Sequence, residues 1–307
     1  MAGPWAVTGP ADVQPRPAPV YRGRFAPSPT GPLHVGSLLT AVASLLDARA
    51  HQGQWQLRID DLDQPRAMPG AEETILRSLE AHGLTWDGPV QRQSEHFERY
   101  QAALAELARA QRIFYCRCTR KSRVRGQPYP GTCRAYRTQR ADAAVRFEPT
   151  ATPLHFADRI QGTVQINLLE TTGPYIIWRR DALPGYALAT AVDDGADTVT
   201  DVVRGVDLLS ETAPQLALMQ ALGLTAPRYA HLPVAVDSQG VKLSKQAGAA
   251  PLDDGRPAQN LSAVFRLLGV PEWVVAEAGT VAALWANAQE HWSPARLRGR
   301  ASVPSPL

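Results

Sequence analysis

Residues 24–37 read RFAPSPTGPLHVGS. A short strand pattern ends at Phe25 and Ala26, and a proline-, serine- and glycine-rich loop runs to Pro32. Val35, Leu38, Leu39, Val42, Leu45 and Leu46 then recur at the spacing of one helix face. Residues 55–59 form the next strand candidate. Strand, loop, helix and strand in that order are the unit of a parallel sheet, so the predicted fold class is α/β with a Rossmann-like nucleotide-binding sheet. Backbone N–H groups and the dipole at such a helix start favour an anion. Gly31 relaxes the turn, Gly36 lets a flat ligand approach the backbone, and His34 adds a donor at the same end. Neither a Walker-type glycine-lysine loop nor a G-x-G-x-x-G fingerprint is present. Taken alone, His34 reads as a helix cap or a satisfied structural histidine.

The chain has 307 residues, 44% hydrophobic and 20% charged, with a formal net charge of +3, which suits a soluble globular protein with a substantial core. No apolar run approaches a membrane span and no signal peptide opens the sequence, so a cytoplasmic location and no membrane partner are expected. Five prolines among small residues make 1–20 read as a mobile leader. The predicted organisation places the first half of the nucleotide-binding domain at 21–112 and an insertion of short β-like runs at 113–180. The second half follows at 181–250, and a short helical tail at 251–307.

Between Cys116 and Ala141 stand Arg117, Arg120, Lys121, Arg123, Arg125, Arg134, Arg137 and Arg140, with no acidic residue. Such a run is either a solvated charged face or a surface that contacts phosphates. The three cysteines, Cys116, Cys118 and Cys133, fall in the same segment. Three free thiols or a tetrahedral zinc with a fourth ligand from elsewhere both fit that spacing.

Several segments together carry a resemblance. Residues 27–37, PSPTGPLHVGS, resemble the "HIGH" signature of class I aminoacyl-tRNA synthetases, and RFAPS before it looks like the glutamyl subgroup. Residues 242–245, KLSK, resemble the second signature of that class, in the right order. RIDDLD at 58–63, GYALA at 185–189 and VRGVD at 203–207 are similar to further segments of glutamyl enzymes. The resemblance implies a glutamate site among Arg24, Phe25, Ala26, Pro27, Ser28, Asp60, Tyr186 and Arg204. It implies an ATP site at His34, Gly36, Ser37 and Lys245, with His34, Lys242 and Lys245 as the catalytic residues. Asp60 stands where the family carries Glu; one methylene shorter, it reaches the substrate ammonium directly or through water. Arg204 offers a planar fork to a γ-carboxylate.

The cysteine pattern resembles the zinc knuckle of a truncated glutamyl-synthetase paralogue, the glutamyl-queuosine tRNA(Asp) synthetase family. That resemblance implies one structural zinc on Cys116, Cys118, Tyr129 and Cys133. It also implies no anticodon-binding domain after the KLSK segment. The expected reaction is activation of L-glutamate by ATP with magnesium, without tRNA, and transfer to queuosine in the anticodon stem-loop of tRNA(Asp) by a monomer. A minimal glutamyl-tRNA synthetase charging a 3′ end, a non-catalytic tRNA-binding paralogue and a cytidylyl-type nucleotidyltransferase remain as alternatives.

Overall fold

The structure is a computed structural model that describes residues 20–119, 126–237, 239, 250–276 and 279–304. The leader read at 1–20 therefore lies outside the described residues except for Val20. So do Lys242 and Lys245, together with Arg120, Lys121, Arg123 and Arg125.

Strand β1 (Arg22–Phe25), helix α1 (Val35–Ala50) and strand β2 (Gln54–Ile59) form the unit expected from the opening stretch. Helix α2 (Ala71–Ala81), strand β3 (Gln91–Arg92) and helix α3 (Phe97–Arg109) complete the first half. Strands β4 (Ile113–Cys116), β5 (Ala144–Phe147), β6 (Leu154–Asp158) and β7 (Gly162–Ile166) follow, then helix α4 (Leu168–Thr171) and strand β8 (Tyr175–Trp178). Helix α5 (Tyr186–Ala196), strand β9 (Asp201–Gly205), helix α6 (Leu209–Ala221) and strands β10 (Arg228–Leu232) and β11 (Val234–Val236) come next. Helices α7 (Pro257–Leu267), α8 (Glu272–Ala276) and α9 (Val281–His291) and strand β12 (Ser302–Pro304) close the chain.

The main sheet has the order β3-β2-β1-β9-β10-β6-β7, and only β7 at its edge runs antiparallel. From β1 the chain builds outward to β3 and later returns to place β9 on the other flank of β1. Open parallel sheets form their ligand crevice at such a reversal, beyond the carboxyl ends of the strands.

Strands β4, β5 and β8 form an antiparallel sheet of their own. The hairpin β6–β7, inside the same 113–180 stretch, instead extends the main sheet past β10. The boundaries at 113 and 180 thus do not mark off a unit apart from that sheet. Local alternation marks a strand, but its pairing partner some seventy residues on is a tertiary choice. Pro233 separates β10 from β11, because proline offers no N–H to a ladder.

The described residues of the tail read at 251–307 contribute to the core. Leu261, Val264, Phe265, Val275 and Leu284 are buried in the same cluster as Leu38, Val42 and Leu46 of α1. Each side chain so buried contributes roughly 1.5–3 kcal/mol of hydrophobic transfer. Asp47 on α1 fastens this assembly. Its carboxylate accepts from Tyr21 at 2.5 Å, from both Arg159 nitrogens at 2.5 and 2.8 Å, and from Trp292 at 3.1 Å. Strand β12 pairs in parallel with β11.

Candidate active site

A cleft of about 820 Å³ opens at the reversal between β1 and β9. Its floor is the loop after β1, from Phe25 through Ser28, and the end of β9 at Val203 to Gly205. Helix α1 enters it amino end first, with His34, Gly36 and Ser37 on the wall, while Tyr186 at the head of α5 faces it. Gly31 sits at φ 120°, a backbone angle that side-chain-bearing residues rarely adopt.

His34 is the N-cap of α1: its Nδ1 accepts the Gly36 N–H at 3.1 Å. A nitrogen that accepts carries its lone pair there, so a neutral His34 has its proton on Nε2. The cap and the cleft-lining position are therefore one arrangement, because the hydrogen bond that starts the helix also sets the tautomer.

The described chain on either side of the KLSK segment converges on the same corner. Val234 and Ala235 line the cleft before it, and beyond it the Leu252 N–H donates to the carbonyl of Leu33, next to His34, at 2.9 Å.

Of the residues read for glutamate, Arg24, Phe25, Ala26, Pro27, Ser28, Tyr186 and Arg204 all line the cleft. Asp60 does not. It is buried, accepts from Arg58 Nε at 2.8 Å, and has a carboxyl raised above the ordinary value by burial, against the pull of Arg58 and Arg24.

Arg24 is gripped by both oxygens of Asp194, at 3.1 and 3.2 Å, and Arg58 reaches the same carboxylate at 2.8 Å. Burial raises the Asp194 carboxyl, but the two guanidiniums outweigh it and hold the group down at about 2. Neighbouring Asp193 accepts from Gln93 and Tyr100 at 2.9 and 2.7 Å and lies 3.0 Å from His96. Sequence reasoning passed over this acidic pair, although two adjacent aspartates in the apolar run of α5 were a signal that buried cations would be needed.

Arg204 differs from Arg24 and Arg58. It is 3% exposed, and its partners are His231, Gln215, Thr212 and the carbonyl of Leu208. Among the described residues no carboxylate makes an ion pair with it. A cation held by neutral acceptors on a cleft wall keeps its charge for an anion.

The cysteines lie apart from the cleft, in the small antiparallel sheet and its loop. The three sulfurs lie within 4.8 Å of one another, and Cys118 and Cys133 are 3.6 Å apart. The Tyr129 hydroxyl is 3.3 Å from Cys116 Sγ and 3.5 Å from Cys118 Sγ. A tetrahedral zinc with ordinary bond lengths separates sulfur from sulfur by about 3.8 Å and sulfur from oxygen by about 3.5 Å. The four side chains therefore fit one such ion.

Burial opposes ionisation of Cys116, but hydrogen bonds from Tyr129 and Arg146 bring its thiol down to about 7. Burial and the neighbouring thiols push the Tyr129 phenol up, so a dication would have to displace that proton. The buried Arg146, absent from the sequence reading, lies 3.9 Å over the Tyr129 ring. It is positioned to offset an anionic donor set.

This sheet, crevice and helix start define a class I synthetase catalytic domain. Residues 21–277 match the family described as tRNA synthetases class I (E and Q), catalytic domain. A glutamyl-Q tRNA(Asp) synthetase of Methylococcus capsulatus is 46% identical over 286 residues, covering 92% of this chain and 94% of that one. The protein of the same name from Pseudomonas aeruginosa is 44% identical over 288 residues, covering 92% and 97%. A glutamate tRNA ligase crystallised with its amino acid, from Elizabethkingia meningosepticum, superposes with a TM-score of 0.76 at 25% identity, over 93% of this chain and 67% of that one. The chain belongs to the glutamyl-Q tRNA(Asp) synthetase family, within the class I synthetases, and is a ligase. Among the described residues no helix is long and apolar enough to cross a membrane.

Proposed function

We propose that the protein activates L-glutamate as an adenylate with ATP and transfers it to queuosine in the anticodon of tRNA(Asp). The buried Arg204 carries this reading: its charge lines a cleft that also receives the amino end of α1. Glutamate lies among Arg24, Phe25, Ala26, Pro27, Ser28, Tyr186 and Arg204, with its side-chain carboxylate toward Arg204. Asp60 lies behind the wall, where accepting from Arg58 helps hold the buried Arg58–Asp194–Arg24 cluster that places Arg24 on the cleft.

ATP lies on the His34, Gly36 and Ser37 helix start, where N–H groups and the dipole favour phosphate. An α-carboxylate oxygen of glutamate attacks the α-phosphorus, the bond to the bridging oxygen breaks, and pyrophosphate leaves. His34 through Nε2–H, with Lys242 and Lys245, stabilises the charge that builds on the phosphate. Magnesium accompanies ATP and shares that neutralisation. A hydroxyl of the queuosine cyclopentene-diol then attacks the mixed-anhydride carbonyl, AMP departs, and the hydroxyl proton goes to solvent or to the leaving phosphate. No protein nucleophile is required; positioning carries the second step.

Zinc on Cys116, Cys118, Tyr129 and Cys133 is structural, since a closed donor set leaves no position for chemistry. Bound there, it would tie Tyr129 and Cys133 to β4, within the arginine-rich run that we read as the surface for the anticodon stem-loop. Incubating the protein with ATP, labelled glutamate and tRNA(Asp) with or without queuosine tests the proposal. Label that appears only on queuosine-containing tRNA and is removed with the anticodon fragment supports it. Label at the 3′ end instead makes the protein a minimal glutamyl-tRNA synthetase.

A further inference from the structure

Arg204, His231 and Asp158 come from three neighbouring parallel strands, β9, β10 and β6, near their carboxyl ends. His231 stands opposite Arg204 in the register, and Asp158 opposite Tyr229. The histidine and aspartate side chains are fully buried. Asp158 Oδ1 accepts the N–H groups of Ile160 at 3.0 Å and Gln161 at 2.8 Å, and Oδ2 lies 2.6 Å from His231 Nδ1. The other ring nitrogen, Nε2, lies 3.1 Å from Arg204 Nε and 3.1 Å from the Thr212 hydroxyl, which can either donate or accept. Arg204 Nε always carries hydrogen, so His231 Nε2 must present a lone pair, and the imidazole proton sits on Nδ1 facing Asp158. Burial, together with the nearby Arg204 charge, holds His231 below its ordinary value against the pull of Asp158, which keeps the ring neutral.

The consequence falls on the guanidinium. Nε is tied to His231, one N–H of Nη1 to Gln215 at 2.9 Å, and Nη2 to Thr212 at 2.7 Å, with the Leu208 carbonyl at 3.4 Å. One N–H of Nη1 and the whole positive charge remain for a ligand. The Nε bond fixes the plane of the fork. With the ring in its other tautomer, two N–H groups would face each other and the fork would turn.

We propose that Asp158 and His231 are positioning residues: by holding the imidazole with Nε2 as an acceptor, they aim Arg204 into the cleft and so set the preference for a side-chain carboxylate over an amide. This rests on the reading that Arg204 meets the substrate carboxylate.

The experiment uses the full chain and glutamate-dependent ATP–pyrophosphate exchange, comparing glutamate with glutamine. His231→Phe keeps the ring shape and removes the acceptor. It is expected to raise KM for glutamate about tenfold to a hundredfold, the worth of a charged hydrogen bond, and to narrow the preference over glutamine while KM for ATP holds. His231→Gln returns an acceptor near the Nε2 position and should recover most of the loss.

In Asp158→Asn the backbone donors of Ile160 and Gln161 keep the amide oxygen, so the amide NH2 faces Nδ1 and the ring proton moves to Nε2. Nitrogen NMR of histidine-labelled protein should show His231 protonated on Nδ1 in the parent and on Nε2 in Asp158→Asn, with KM for glutamate raised in the latter. An Nε2–H ring or an imidazolium in the parent overturns the proposal, a result that needs no variant to fold. If Arg204→Ala raises KM for glutamate while His231→Phe leaves it unchanged, the relay falls and the Arg204 reading stands. If Arg204→Ala leaves it unchanged, the reading itself falls.

Discussion

Replacing Asp194 by Asn should cost far more stability than replacing Asp60, although both are buried aspartates of one cluster. Asp194 accepts three charged hydrogen bonds, two from Arg24 and one from Arg58, whereas Asp60 accepts one, from Arg58 Nε. Breaking a buried pair from one side costs about 3–5 kcal/mol, because the other charges stay buried and poorly matched. The depression of the Asp194 carboxyl by these same contacts gives a second figure. The Asp194 carboxyl sits at about 2 against an ordinary 3.8, which corresponds to about 2.5 kcal/mol of stability at neutral pH. A depressed carboxyl stabilises above its unfolded value and loses that contribution as pH falls, here between about 4 and 2. The Asp60 carboxyl is raised instead, so its ionised form is already disfavoured by burial. An uncharged Asn there should change stability by only about 1 kcal/mol. Urea unfolding at pH 7, followed by tryptophan fluorescence, measures both. With a slope of about 3 kcal/mol per molar, Asp194→Asn should lower the midpoint by about 1–1.7 M. Equal shifts for the two variants, or an Asp194→Asn midpoint near that of the parent, would refute the charge accounting.

Tyr129→Phe keeps the ring under Arg146 but removes the hydroxyl, and should weaken zinc retention about a hundredfold in chelator competition, as expected for losing one of four donors. Gly173→Ala places a methyl group 2.3 Å from the Tyr129 carbonyl oxygen at φ 64°; its melting temperature should fall by about 5–10 °C. Gly70, at φ 73° with open space around it, is the control, and Gly70→Ala should cost only about 1 kcal/mol. Lys245→Ala should cut glutamate-dependent pyrophosphate exchange by at least about a hundredfold without moving the urea midpoint; unchanged exchange removes Lys245 from the mechanism.

The opening strand, loop and helix were legible because hydrophobic period and turn residues are local properties, and Phe25, Gly31 and Val35 stand in the structure where the spacing puts them. The partners of the hairpin β6–β7 were not legible, since one strand's alternation says nothing of which distant strand it will meet. For the site, contiguous motifs named Arg24 through Ser28, His34, Gly36, Ser37, Tyr186 and Arg204, which line one cleft. The residues that hold them in place were missed. Asp158, Arg146 and His231 stand in elements with no motif around them, and Asp194 lies in α5 beyond its GYALA motif; their meaning comes from neighbours brought together only by folding. The legible trace was a charge or imidazole inside an apolar run, as with Asp193 and Asp194 after Ala191 and Val192, because a buried charge implies a partner.

The pairing of β12 with β11 has a practical side. Residues 302–304 lie against β11, whose Val234 and Ala235 line the crevice. Tyr21, by contrast, enters the sheet at the amino ends of the parallel strands, away from the crevice. Loosening β12, as by Val303→Ser, would therefore be felt at the crevice wall, whereas a change at Tyr21 acts at the opposite end of the sheet.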